Sequence, residues 1–349
     1  MKTSRSFIAI LGGLLLLPLI QGQAQSVRDL QMTIKEKDAQ IEKLREEKQT
    51  LETKLRKCQK KNSEDNCEEL RSQNLQLSRE NQQLRADNSA LLKASKDEDK
   101  TPIEIRDPLF KAYLLRYCDM DDDGVITTWD AEHTYVIDCS KANKSGWGAI
   151  LQRESKSIST LEGIEAYKNL KKLVCSGNTI PMLDLSNNTS LVTLEADGCD
   201  LRVLNISGNK ELKHLSCNNN ALRDLDLSDK DNLVYLDVNH NQLNILSLNH
   251  SPKLSRLNCS DNGMVSLMAP GNAELLYVDC SNNVLTTLDL SKTAADSIMC
   301  QNNGLTFVDL RNDKDISYFD CSKNKNLKEV LISNGHYVVS DVNKKIRYR

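Results

Sequence analysis

Leu212-x-x-Leu215-x-Cys217-x-x-Asn220-x-Leu222-x-x-Leu225-x-Leu227 is followed by Leu233-x-x-Leu236-x-Val238-x-x-Asn241-x-Leu243-x-x-Leu246-x-Leu248, the same pattern displaced by 21 residues. Further units begin at Leu170, Leu191, Leu254, Leu275, Ala295 and Ile316, making eight, and only the step from Cys280 to Cys300 is shortened, to 20. A fixed period of this length marks a stacked repeat architecture. Each unit offers a short strand around its Leu-x-Cys, a turn fixed by Asn, and a second extended segment. No unit can bury its leucines alone, whereas stacking gives one continuous apolar column. The expected fold is therefore a mostly β solenoid over residues 158–333, with a closing cap over 334–349.

The asparagines at the turns (Asn178, Asn220, Asn241, Asn262, Asn283, Asn303 and Asn324, with Cys199 in the second unit) are placed to satisfy backbone groups inside the coils. Cys175, Cys217, Cys259, Cys280, Cys300 and Cys321 share one repeat position facing the column. That placement reads as small buried hydrophobes rather than disulfides or metal ligands. The whole pattern resembles the leucine-rich repeat family in its short, internalin-like bacterial form. The resemblance implies a leucine-rich repeat solenoid that binds a protein partner, in an adhesion or host-interaction role.

Successive side chains of a strand point to opposite faces, so alternate residues of each Leu-x-Cys strand face outward. Lys172, His214, Tyr235, Arg256, Tyr277 and Tyr318 lie in one outward column, beside Asp237, Asp279 and Asp320 in the next. Tyr and Arg are enriched at binding hot spots, which makes these nine residues the candidate partner-binding site.

Upstream, Asp119-x-Asp121-x-Asp123-Gly124-Val125-Ile126-Thr127-x-x-Asp130 has the spacing of a twelve-residue EF-hand loop. Asp119, Asp121 and Asp123 would give carboxylate oxygens and Val125 its carbonyl. Thr127 would ligate through a water, and Asp130 would close the shell of a structural Ca2+. Dockerin-type loops also end in Asp. Together with Leu161-Glu-Gly-Ile164-Glu, the loop makes residues 108–157 resemble the helical calcium-loop cap of secreted Bacteroidetes-type repeat proteins.

Lys2 and Arg5 precede an apolar run from Phe7 to Ile20, with Gly22 and Ala24 at the spacing of a cleavage site. The run is too short for a membrane span and reads as a signal peptide over 1–24, with no second apolar span behind it. The mature chain is thus expected to be secreted or on the cell surface, with the periplasm as the alternative.

From Ser26 to Lys100 there is no Gly, Pro or aromatic residue. Leu30, Ile34, Ile41, Leu44, Leu51 and Leu55 form one coiled-coil seam, and Leu70, Leu77, Leu84 and Leu91 recur by sevens in another register, interleaved with Asn74, Asn81 and Asn88. Residues 26–95 are read as a coiled coil, and 96–107 as a linker. The seam lapses at Lys60–Asp65. Either a rod continues through it, able to dimerise with Asn paired to Asn, or a hairpin folds there with Cys58 and Cys67 at its mouth. The lack of Gly or Pro at the lapse favours the rod.

The formal charge of −3 and an aromatic content of 4% argue against nucleic acid as a partner. The five histidines (His133, His214, His240, His250 and His336) are scattered outside any metal or nucleophile motif. The sequence therefore points to an exported binding module without catalysis, or alternatively to a periplasmic envelope scaffold that oligomerises through its coiled coil.

Overall fold

The computed structural model describes residues 64–94, 100–141, 146–153, 155–311, 316–332 and 335–338, together with scattered positions between 36 and 51. The signal-peptide reading, Cys58 and most of the expected C-terminal cap lie outside the described residues. The chain divides into two compact units, Met1–Asp97 and Glu98–Arg349. No helix among the described residues is long and apolar enough to cross a membrane.

In the first unit, helix α1 (Glu64–Ala94) carries the second leucine register. Its Asn81 is buried and donates through Nδ2 to the Ile41 carbonyl at 3.4 Å, while Lys37 pairs with Asp87 at 3.5 Å. In a continuous rod, residues 41 and 81 would stand about 60 Å apart at about 1.5 Å per residue. Residue 37 meets 87 and residue 41 meets 81, so the two segments run antiparallel. This corrects the rod: the chain folds back on itself, as in the hairpin reading. Asn81 finds its partner within its own chain, and its Oδ1 accepts from Arg85 Nε at 3.0 Å.

The second unit opens with a helical cap of three short helices: α2 (Pro108–Tyr117), α3 (Thr128–Glu132) and α4 (Gly146–Arg153). Pro108 starts α2 where its missing N–H costs nothing. Asp107 caps it, accepting from the Leu109 and Phe110 N–H groups at 2.8 and 2.9 Å. The other Asp107 oxygen accepts from Ser159 N and Oγ at 2.8 and 2.7 Å, which ties the cap to the start of the array. The segment read as a linker is in fact part of the cap over residues 101–107. Ile103 N bonds the Ile126 carbonyl at 2.8 Å, and Ile105 is buried in the core. Gly163, at φ 99°, lies against Ile105, where any Cβ would collide with that side chain.

The array has two walls. Its inner wall is a nine-stranded parallel sheet begun by Val136–Asp138 of the cap and continued by the Leu-x-Cys strands from Lys172–Val174 to Tyr318–Asp320. The register is constant, for example Leu215 to Leu236 to Leu257. The outer wall is interrupted. Met182–Asp184 pairs with Val203–Asn205, and Ile245–Ser247 with Ser266–Met268. A third group runs from Thr287–Asp289 to Glu329–Ile332, against which Gly335–Val338 turns back antiparallel. No strand forms in the outer segment near Leu225.

Between the walls, the cysteines at the shared position and the repeat leucines other than Leu204 and Leu225 are buried. All nine described cysteines carry free thiols. Burial raises the thiol pKa of Cys139, Cys217, Cys259, Cys280, Cys300 and Cys321, the last pushed up to about 11, whereas its contact with Cys175 holds Cys199 below its ordinary value. The inner asparagine ladder works as a template. Asn241 Nδ2 donates to the carbonyls of Cys217, Val238 and Asn239, while its Oδ1 accepts from Leu222 N at 3.0 Å. The residue before each ladder position is left-handed: Gly177 and Gly198, then Asn219, His240, Asp261, Asn282, Asn302 and Lys323.

Candidate binding face and ion loop

The inner sheet brings the predicted partner-binding residues onto one surface. Lys172 lies on the second strand of the sheet, separated from His214 by Thr193, and is neutralised by Glu195 at 2.9 Å. His214, Tyr235, Arg256 and Tyr277 occupy four consecutive strands at the same register position. The rings of His214 and Tyr235 stack at 4.3 Å with 9° between their planes, and the Arg256 guanidinium lies 4.3 Å over the Tyr277 ring. Burial holds the His214 imidazole below its ordinary range, so this stack is neutral at pH 7. These four side chains form a continuous row of half-buried and exposed planar groups, held in place before any partner arrives. A row already ordered forfeits less rotamer entropy on binding.

The adjoining acidic column is less uniform than the sequence implies. Asp237 accepts from Asn239 N and Nδ2 and from the Tyr235 hydroxyl, the last at 3.3 Å. Asp279 accepts from Ser281 N and Oγ at 3.0 and 2.7 Å. Asp320 is only 5% exposed and accepts from Ser322 N at 3.0 Å, so it serves the turn rather than the surface. Tyr318 lies two strands beyond Tyr277, separated from the row by Ser297. Glu195 and Asp197, absent from the candidate set, add negative charge beside His214. Burial raises the Asp197 carboxyl, and the neighbouring Asp237 and Glu195 raise it further.

A second ladder on the outer side was not read from the sequence. Asn188, Asn209 and Asn272 each donate to two carbonyls of the preceding coil, as in Asn209 Nδ2 to Leu185 O and Asn188 O at 2.9 and 2.7 Å. Lys230 holds the equivalent place between them, fully buried, with its ammonium on the Ser228 carbonyl at 2.8 Å. Residue type varies along this ladder, so only the 21-residue spacing could have revealed it.

In the cap, the ligating oxygens of Asp119, Asp121 and Asp123 lie within 4.8 Å of one another. Asp121 is 4% exposed, and its Oδ1 has no hydrogen-bond partner. An orphaned, buried carboxylate oxygen aimed into a trio of acids fits a cation. Asp121 Oδ2 is paired with Lys100 Nζ. Two of the other predicted ligands also serve the helix that follows. Thr127 and Asp130 form a capping box for α3: Thr127 N and Oγ1 donate to Asp130 Oδ2 at 2.9 and 2.7 Å. Asp130 Oδ1 accepts from Met120 N at 2.9 Å, so neither oxygen is directed at the trio. Val125 is exposed, and its N–H bonds Asp123 Oδ1 at 2.8 Å. Burial raises the Asp130 carboxyl, its hydrogen bonds opposing the shift only in part. The loop thus brings three carboxylates together, those of Asp119, Asp121 and Asp123.

Parallel coils of 21 residues, a leucine column and an asparagine ladder define a leucine-rich repeat solenoid. No family model and no curated protein matches the chain. Among solved structures, it is similar to the functional domain of InlJ from Listeria monocytogenes, described as including a cysteine ladder, at 23% identity and TM-score 0.34. That match covers 64% of this chain and 61% of the other, so the chain spans under two thirds of the InlJ domain. It is also similar to the internalin InlF from Listeria monocytogenes at 17% identity, TM-score 0.29, covering 67% and 92%. A third likeness is to YopM of Yersinia pestis, at 20% identity and TM-score 0.32, covering 47% and 49%. The fold assignment rests on the coils themselves.

Proposed function

We propose that the array is a protein-binding module whose partner docks on the inner sheet, centred on His214, Tyr235, Arg256 and Tyr277. The observation that carries this is the continuous row of ordered planar groups on neighbouring strands. Aromatic and arginine side chains give large contact area at low entropic cost, the usual chemistry of interface anchors. The protein acts outside the cytoplasm, as a secreted or surface adhesion module without catalysis, and the Asp119–Asp123 loop holds a structural Ca2+ in the cap. Export is supported by the sequence of residues 1–24.

The helical segment acts as a stalk or oligomerisation element. Leu70, Leu77 and Leu84 remain only half-buried in the folded-back unit, which favours a further helical partner and keeps the periplasmic scaffold as the second reading.

The deciding experiment captures partners on the wild-type chain and on the triple variant Tyr235→Ala, Arg256→Ala, Tyr277→Ala. A folded variant that no longer retains a partner bound by the wild type supports the face. Undiminished binding by that variant discards it. Protease shaving of intact cells separates the two locations: digestion of the array without lysis favours adhesion, and protection until the envelope is breached favours the scaffold.

A further inference from the structure

We infer that Lys100 is a built-in competitor for the cation of the Asp119–Asp123 loop and sets how tightly that loop takes a divalent ion. The inference rests on the ion-site reading above and goes beyond it, because nothing in an EF-hand-like spacing calls for a lysine 21 residues before Asp121.

Three features place Lys100 there. Its ammonium is on Asp121 Oδ2, the second oxygen of the same buried carboxylate whose Oδ1 is orphaned. Its backbone is held opposite the loop by short antiparallel pairing: Thr128 N bonds Thr101 O at 2.9 Å, and Pro102 bridges Thr127. Its Nζ also stands 5.3 Å from the centroid of the Trp129 ring, which steadies the side chain over the loop. The ammonium is thus delivered by backbone register to the acidic trio and is not a chance surface contact.

A bound Ca2+ needs carboxylate oxygens at about 2.3–2.6 Å. An ammonium hydrogen-bonded to one oxygen of Asp121 and a divalent ion on the other would repel strongly in so buried a place. One must yield. Because the Lys100 side chain is 39% exposed, it can swing into water, and Asp121 cannot. Ion binding therefore includes ejection of Lys100 from Asp121 and from the Trp129 face. With Asp130 held in the capping box, the loop lacks the closing carboxylate that would otherwise outcompete a lysine. The affinity of the native loop is correspondingly low.

The test titrates Ca2+ into the full-length chain and its Lys100→Gln and Lys100→Arg variants, by calorimetry and by Trp fluorescence. Tb3+ luminescence sensitised through Trp129 reports the ion's location. Lys100→Gln should bind Ca2+ about tenfold more tightly than wild type, since removing a competing charge from a partly buried carboxylate changes binding by about that factor. Lys100→Arg should stay close to wild type, and the Trp fluorescence change on Ca2+ addition should be smaller in Lys100→Gln. Equal or weaker Ca2+ binding by a folded Lys100→Gln overturns the competition and leaves the ion site standing. Absence of Ca2+ and Tb3+ binding in all three proteins overturns both.

Discussion

Replacing Asn241 by Ala removes a template rather than a contact. The Asn241 amide serves the carbonyls of Cys217, Val238 and Asn239 at 3.0, 3.1 and 3.2 Å, and its oxygen takes the Leu222 N–H at 3.0 Å. The residue is 9% exposed, so water does not readily replace the amide. A buried N–H left without a partner costs about 1–3 kcal/mol, and each lost donor bond to a carbonyl adds about 1 kcal/mol. Two donors and one acceptor disappear together, which gives roughly 3–5 kcal/mol. Equilibrium urea unfolding of the full-length chain, followed by far-UV circular dichroism, should show the midpoint falling by about 1–2 M at the slope expected for a domain of this size. Asn241→Asp should be worse at neutral pH, because it aims a carboxylate at the same carbonyls, and should recover part of the loss on acidification. Asn239→Ala, which removes hydrogen bonds only to Asp237 and the exposed His240, serves as the neighbouring control. A midpoint for Asn241→Ala within about 0.3 M of wild type would refute the template argument, since the loss would then be under about 1 kcal/mol.

Two further outcomes follow from buried charges. Burial pushes the Asp107 carboxyl up, but hydrogen bonds from Ser159, Phe110 and Leu109 outweigh it and hold the group below its ordinary 3.8. Its contribution is therefore complete above that value and is lost as pH falls through the lower, folded value. Asp107→Asn should be less stable than wild type at pH 7 by about 2–4 kcal/mol, and the difference should shrink in thermal melts as pH is taken down below the ordinary 3.8. Burial lowers the Lys230 pKa, so between its folded value and the ordinary 10.5 the unfolded chain binds more protons there than the folded one, and stability rises with pH through that window. Lys230→Met should match or exceed wild-type stability by about 1 kcal/mol at pH 7, and the gap should close towards pH 10 in urea titrations.

The leucines, the cysteine column and the inner asparagines were legible because each repeat must bury the same groups, so residue type and spacing recur together. The left-handed column was harder to see. Gly177, Asn219 and Asp261 are ordinary in that conformation, but His240 and Lys323 disguise it, their φ of 51° and 61° imposed by the coils on either side. The outer ladder was hidden by its changing chemistry, with Lys230 standing where Asn209 and Asn272 stand. Thr127-x-x-Asp130 satisfies two patterns at once, a capping box and the end of an ion loop, and its carboxylate accepts from the backbone donors at Met120 and Thr127. The helical segment misled for a different reason. A heptad seam does not say whether its partner is another chain or the same one, and a sequence without Gly or Pro gives no signal for the fold-back that brings Ile41 to Asn81.

The gap in the outer wall at Leu225 gives the array an order of opening. Coils on either side of it are joined by the inner sheet but share no outer strand pairing, and Leu225 is only half-buried there. In a linear stack, stability is a sum over neighbours, so the junction with the fewest shared bonds is the one that parts first. The outer wall breaks again between Ser266–Met268 and Thr287–Asp289, so amide exchange will divide the repeats at both places, and at Leu225 it will part an N-terminal block anchored by the helical cap from the coils that follow. Tyr235 sits just beyond the Leu225 junction and His214 just before it, so the stacked pair bridges its two sides, and a partner gripping both rings would slow the exchange of coils it never touches.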